Sequence, residues 1–120
     1  MPSREFSRKD RISAELRRLV GTMVHEAVRE HGLPSLSVSD VETSKELDVA
    51  TVFVTALIAE QGRPGVKLLN GLAKEFRFNL SKMMRVRRVP ELRFKYDDSV
   101  DRGERIEHLL RGGDKDRPLT

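Results

Sequence analysis

Residues 66–96 read VKLLNGLAKEFRFNLSKMMRVRRVPELRFKY and decide the fold. Apolar residues recur at helical spacing over residues 66–84, which predicts an amphipathic helix. Asn70-Gly71 falls inside this run, so one kinked helix or two abutting helices would both fit. We expect the break between Gly71 and Lys74.

The same stretch predicts a strand after the helix. Pro90 stops the helix, and the residue before a proline favours extended geometry. The apolar residues of 92–96 then alternate with Arg93 and Lys95, which is typical of a half-buried strand. Arg93 and Lys95 share the outward side, so we expect the open face of the sheet, or its rim, to be basic.

Upstream of this stretch, the sequence predicts a helix and a β-hairpin. Ser7 and Asp10 have capping-box character, and Gly32 is a natural end for the helix that follows. Alternation over 36–41 and 50–57 predicts two strands, and a phase shift within the first indicates a bulge or a strand end.

The predicted order is helix, strand, strand, helix, helix, strand, followed by a short helix over 101–111. This order favours an α+β fold with a three-stranded sheet packed under helices on one face, although the pattern does not fix the strand order. The Gly- and Pro-containing residues 61–65 are predicted to separate the second strand from the next helix. We interpret residues 1–111 as one domain and residues 112–120 as a flexible polar tail.

Composition excludes several function classes. The 120 residues contain no cysteine, which removes disulfides and thiolate metal sites. The chain has no apolar run of the ~20 residues that span a bilayer, and its N-terminus lacks the apolar core of a signal peptide. We therefore expect a cytoplasmic protein without a membrane association.

Catalytic, metal and cofactor sites are not predicted. The sequence has no Walker-type phosphate loop and no nucleophile elbow. His25, His31 and His108 are far apart and lack partners at useful spacing, so they are interpreted as solvated or helix-end residues. Asp97-Asp98 before Ser99 is ordinary turn chemistry.

The charge pattern points to an anionic partner. The formal net charge is +4 and the pI is about 9.8. Residues 74–95 hold eight basic and two acidic side chains, a net charge of +6. Phosphate binding would explain a density that solubility does not need. The predicted RNA-binding residues are Lys74, Arg77, Lys82, Arg85, Arg87, Arg88, Arg93 and Lys95, with Arg8, Arg11 and Arg18 as a secondary stripe on the first helix.

Aromatic residues lie among these charges. Phe76 and Phe94 continue apolar periodicities and are predicted to lie in the core. Phe78 is off the apolar stripe of its helix, so base stacking and simple surface exposure both remain open for it.

Several stretches resemble one family. The element order is that of a type II KH domain. Residues 85–97 read RVRRVPELRFKYD. Matching residues follow at Ser99, Gly103, Arg105, Ile106, Leu109 and Leu110. Together with residues 46–54 (ELDVATVFV) and Asp10-Arg11-Ile12, they resemble the ribosome-binding factor A family over residues 7 to about 110.

This resemblance implies a bacterial assembly factor of the small (30S) ribosomal subunit. Such a factor binds the immature subunit, assists late maturation of its 16S RNA including the 5′ terminal helix, leaves before translation, and supports growth in the cold. It implies no enzymatic activity and no cofactor, and a monomer is expected. A maturation GTPase that promotes release is a candidate second partner.

The sequence departs from the family at the helix kink. The family has an Ala-x-Gly pattern there, which aligns with Leu72-Ala73-Lys74, so its glycine is absent. Gly71 could serve as the bend instead.

An alternative function is a protein-interaction adaptor. In that case the acidic middle of the chain and its tail would dock on another assembly factor without direct RNA binding, and the basic block would be incidental.

The tail gives the first testable prediction. Residues 112–120 contain a single Leu and bury little area, so truncation after Arg111 should leave the melting temperature within about 2 °C of the full chain's. Thermal unfolding of both proteins checks this, and a larger drop would show that the tail docks on the domain.

Overall fold

The computed structural model describes residues 7–99. Their order confirms the predicted α+β class. The elements are α1 (Arg8–His31), β1 (Leu36–Thr43), β2 (Val49–Ala56), α2 (Gly62–Gly71), α3 (Ala73–Met83) and β3 (Glu91–Tyr96), with a short 3-10 helix (Ala59–Gln61) before α2. The predicted helix over 101–111 and the tail over 112–120 lie outside the described residues.

The sheet has the strand order β1-β2-β3, which the sequence pattern left open. β1 and β2 pair antiparallel as a hairpin, and β2 and β3 pair parallel. A parallel pair needs a crossover connection, and α2 and α3 supply it. The register shifts between Val38 and Asp40, so the predicted irregularity is a bulge.

The core lies between one face of the sheet and the helices. Leu16, Val20 and Val24 of α1 are fully buried, as are Val52 and Val54 of β2. α1 packs over β1, while α2 and α3 pack over β3. Phe76 and Phe94 are buried as predicted, and their rings meet edge to face with centroids 5.8 Å apart.

The ends of α1 follow the predicted capping signals. The Ser7 hydroxyl accepts a hydrogen bond from the Asp10 backbone N–H at 3.2 Å, and the Asp10 carboxylate accepts one from the Ser7 N–H at 3.3 Å. Gly32 ends the helix at φ 64°, a left-handed conformation that favours glycine.

The predicted break over residues 61–65 is wrong, because α2 begins at Gly62. Pro64 is the third residue of the helix, where its missing N–H costs no hydrogen bond. Gly62 lies directly against the Tyr96 ring, and a Cβ at Gly65 would come within 2.8 Å of Leu36. The absence of a side chain at these two glycines therefore allows α2 to pack closely against residues of the sheet.

The helix break falls between Gly71 and Lys74, as predicted. Leu72 joins the two helices at φ −101° and ψ 3°, a conformation open to any L-residue. Gly71 does not have a positive φ. The bend therefore needs no glycine.

The prediction that Pro90 stops the helix, which would place the arginines just before it at the helix end, is wrong. α3 ends at Met83, and Met84 turns to extended geometry with its side chain buried. Residues 84–90 form a connecting loop with Val89 and Pro90 also buried. Because these burials need the chain to leave the helix, Arg85, Arg87 and Arg88 lie on a loop and not at a helix end. Met83 falls within the apolar spacing of residues 66–84, yet it is 48% exposed and does not pack in the core.

Asn70 ties the helix junction to the sheet. Its side-chain amide donates to the Phe94 carbonyl at 3.0 Å and accepts from the Phe94 N–H at 2.9 Å. The amide thus pairs both backbone groups of Phe94 on the side of β3 that faces away from β2.

We predict that Asn70→Ala lowers the free energy of unfolding by about 1–3 kcal/mol, because the Phe94 backbone groups lose both partners. Denaturant unfolding checks the value. The matched control is the neighbouring Gly71→Ala, which should be neutral or slightly stabilising since a Cβ there meets no atom within 4 Å. Equal stability of the two variants would contradict a tie at Asn70.

Candidate nucleic-acid interface

The loop over residues 84–90 has exposed charged side chains between two ends that are buried in the domain. Met84, Val89 and Pro90 are buried, while Arg87 and Arg88 are exposed. A loop that is anchored at both ends loses little entropy when a ligand binds its exposed side chains.

Arg77 of α3 helps to hold this loop. Its Nε donates to the Val89 carbonyl at 3.0 Å, and the side chain is half-buried. The predicted RNA-binding residue Arg77 therefore also has a structural role.

A groove of about 500 Å³ opens between α3 and the loop, and we call it the Phe78 groove. It is lined by Lys74, Arg77, Phe78, Ser81, Val86, Arg87, Arg88 and Val89. Four of these eight residues are cationic and none is acidic. The site thus gathers residues 14 positions apart in sequence around one aromatic ring.

Phe78 is 60% exposed, unlike the aromatic residues of the core. The Lys82 ammonium lies 4.4 Å from its ring centroid, one helical turn further along α3. This cation–π contact holds the ring at the surface. Of the two readings left open by the sequence, exposure is now established, and the ring is available to a stacking base.

A second groove of about 350 Å³, the Arg8 groove, adjoins the first. It is lined by Arg8, Ile12, Glu46, Leu47, Val86, Arg87, Arg88 and Pro90. Arg87 and Arg88 line both grooves and so form the ridge between them. A phosphate bound by Arg87 and Arg88 would therefore lie next to both grooves.

The turn between β1 and β2 contributes residues that sequence reasoning missed. Leu47 has φ 63°, a strained conformation for a branched side chain, and packs against the core while lining the Arg8 groove. The predicted hairpin implied a turn here, but the sequence offered no signal that this turn would lie beside Arg87 and Arg88.

Asp48 in this turn tempers the positive charge. Its carboxylate accepts a hydrogen bond from the Ser44 hydroxyl, which lowers the pKa of Asp48 together with its backbone hydrogen bond and the nearby Arg88 and Arg93. The turn therefore places two acidic residues, Asp48 and the groove-lining Glu46, beside the arginine ridge.

Arg93 and Lys95, the two cations of β3, have different neighbours. Arg93 lines a third groove with Lys74 and Arg77, and it also pairs with Glu91 at 3.3 Å. Lys95 lies on the open face, in register with Phe53 of β2.

Of the two predicted alternatives, a basic open face or a basic rim, the arrangement of charges fits the rim at β3 and not the whole face. Asp40 and Glu42 of β1 pair with Phe53 and Thr51 of β2. These two β2 residues pair on their other side with Lys95 and Arg93 of β3, so the acidic and basic residues lie at opposite edges of the sheet. The edge of the sheet at β3 is therefore basic and the edge at β1 is acidic, because the basic residues lie on β3 and the acidic residues lie on β1.

The secondary stripe on α1 is divided. Arg8 joins the Arg8 groove, whereas Arg18 lines a separate groove further along α1. Arg11 and the loop residue Arg85 are exposed and line none of these grooves.

Metal and membrane sites are absent from residues 7–99. This part of the chain has no cluster of His, Asp and Glu that could hold a metal ion, and no helix long and apolar enough to cross a bilayer. Asp97 is instead a turn residue, as predicted. It accepts hydrogen bonds from Ser99 and from Ser39 at 2.7 Å, and both lower the pKa of its carboxyl.

Comparisons with known proteins identify the family. The model of the family described as "Ribosome-binding factor A" matches residues 8–110. The chain belongs to the ribosome-binding factor A family. The factor from Xanthomonas euvesicatoria pv. vesicatoria is 59% identical over 111 residues, which cover 92% of this chain and 85% of the relative. The factor from Xylella fastidiosa is 56% identical, with 92% and 89% covered.

Solved structures of ribosome-binding factor A share the fold. The crystal structure from Thermus thermophilus matches with a TM-score of 0.64 at 27% identity, covering 75% of this chain and 97% of that one. A second Thermus thermophilus model, fitted into a cryo-EM map of a 30S complex, matches with a TM-score of 0.61 at 27% identity and covers 73% and 93%.

Position 74 is where this chain departs from the family pattern given above. Where the family pattern expects the kink glycine, this chain has Lys74, and the bend is made by Leu72. Lys74 lines both the Phe78 groove and the groove at β3. Lys74 is therefore one of the cations of the candidate interface, and the helix break lies at Leu72 in the absence of a glycine at position 74.

Proposed function

We propose that this protein binds the immature small (30S) ribosomal subunit through its 16S RNA and assists late maturation, including formation of the 5′ terminal helix. The observation that carries the proposal is the convergence of Lys74, Arg77, Arg87 and Arg88 around the exposed Phe78. Family membership supports the partner, because a Thermus thermophilus ribosome-binding factor A has been fitted into a 30S complex.

The proposed mechanism is selective binding. Cations at the ridge of Arg87 and Arg88 bind backbone phosphates, and the Phe78 ring stacks on an unpaired base. A factor that binds one RNA arrangement more tightly than its alternatives shifts the population toward that arrangement. This requires no chemical step and no cofactor.

We further propose that the protein is a cytoplasmic monomer and that it leaves the subunit before translation. Release by a maturation GTPase is part of this proposal.

We predict that Arg87→Gln with Arg88→Gln weakens cosedimentation with immature small subunits at least tenfold at moderate salt. Two lost phosphate contacts should also flatten the log–log salt dependence by about two units. The free energy of unfolding should change by no more than about 0.5 kcal/mol, because both side chains are exposed. Binding across a salt series and denaturant unfolding are the two measurements.

The control is the double variant Arg29→Gln with Lys67→Gln, which removes the same charge outside the grooves. It should bind nearly as well as the wild type. Equal losses in both double variants would mean that net charge, and not the ridge, governs binding. Retention on the subunit that survives ribonuclease would favour the protein-adaptor alternative.

We predict a different signature for Phe78. Phe78→Leu should weaken binding about 5-fold or more, since base stacking on an aromatic ring is worth about 1–3 kcal/mol per base. The salt slope should stay unchanged because no ion is released. Phe78→Tyr keeps the ring and should bind like the wild type. If the Leu and Tyr variants bind equally, the ring is not a stacking platform.

A further inference from the structure

A separate basic groove of about 510 Å³ lies between α1 and the beginning of β1. Its basic lining is Arg17, Arg18 and His25, and its other lining includes Ala14, Gly21 and Val38. We call it the Arg18 groove.

The Arg18 groove shares no lining residue with the Phe78 groove or the Arg8 groove. Arg17 is nine residues beyond Arg8, a rise of about 14 Å along the helix. Val38 is near the start of β1, and the turn beside the ridge follows the other end of this strand. A single phosphate cannot contact both places.

The charges of this groove are open to a ligand. Arg17, Arg18 and His25 are exposed. Within residues 7–99, neither Arg17 nor Arg18 has an acidic partner at ion-pair distance. Glu15 and Glu26 lie on the same helix but do not line the groove.

Gly21 leaves the floor of the groove free of a side chain. A Cβ there would meet no atom within 4 Å, so packing within the domain does not require glycine. A glycine in the interior of a helix is nonetheless unfavourable. At this position it allows a ligand to approach the helix backbone closely.

We propose that the Arg18 groove is a second phosphate-binding site, so that one molecule contacts two separate RNA segments. This inference rests on the proposed function and extends it. Joining two segments on one rigid domain raises the effective concentration of each near the other, which favours RNA arrangements in which both are close. An acidic peptide added to the edge of β1 fits less well, because the bulge between Val38 and Asp40 interrupts the strand there.

The test uses two short RNA hairpins with single-stranded flanks, one labelled with an energy-transfer donor and the other with an acceptor. Wild-type protein should bring them together, and transfer should fall again when protein is in excess and each hairpin binds its own copy. Arg17→Gln with Arg18→Gln should remove the transfer while single-hairpin binding falls less than 3-fold. Sedimentation must show one protein molecule in the bridged complex.

A matched pair at Gly21 tests the same site without touching its cations. Gly21→Glu and Gly21→Gln are similar in size, but only Glu adds a negative charge. Transfer should fall at least 5-fold further with Glu than with Gln, since a phosphate is repelled by the carboxylate. Equal transfer by the two variants would overturn the site.

The outcomes separate the two proposals. If the wild type binds neither hairpin, the proposed function fails. If it binds single hairpins but never bridges them, or if the Arg17 and Arg18 variant bridges normally, only the second site is overturned. The second site is also overturned if a photo-crosslinker at Ser37 attaches to a ribosomal protein and not to RNA on immature small subunits.

Discussion

The two hydrogen bonds between the Asn70 amide and the Phe94 backbone place the candidate interface. They fix the end of α2 against β3, and α3 then begins at Ala73, directly after the joining residue Leu72 and beside the same strand. The edge-to-face contact of Phe76 with Phe94 sets the rotation of α3 about its axis. With Phe76 turned inward, Phe78 is turned outward, because residues two apart on a helix lie on different sides. The position of the exposed ring is thus a consequence of how the junction is tied to the sheet.

The periodic parts of the fold could be predicted from the sequence, and the interruptions could not. α1 has caps at both ends and a continuous apolar stripe, so local signals determine it. Residues 62–65 look like a break because Gly and Pro have poor helix propensity, yet contacts with Tyr96 and Leu36 outweigh that preference. At Met84 the outcome is the opposite, but the reason is again tertiary packing: the chain leaves the helix and the side chain of Met84 is buried. Both outcomes depend on residues distant in sequence, which periodicity does not contain.

The candidate site divides in the same way. Charge density pointed to residues 74–95, and the structure brings Lys74, Arg77, Arg87 and Arg88 together around Phe78. The charge pattern of the sequence could not reveal that Arg77 holds the loop through Val89, or that Arg8 lies beside the ridge. These relations depend on which elements become neighbours once β3 pairs with β2, and the sequence left that pairing open.

The acidic residues of β1 restrict how RNA could lie on the protein. Asp40 and Glu42 lie along β1 between the Arg18 groove at its start and the turn of Asp48 beside the arginine ridge. Phosphates that followed the strand from one basic groove to the other would pass both carboxylates, and like charges repel most strongly where water is excluded. One continuous strand on this path is therefore disfavoured, whereas two segments that arrive separately avoid the acidic stretch. Under the proposed second site, the carboxylates at the β1 edge of the open face thus favour an arrangement in which the protein is held between two parts of an RNA fold.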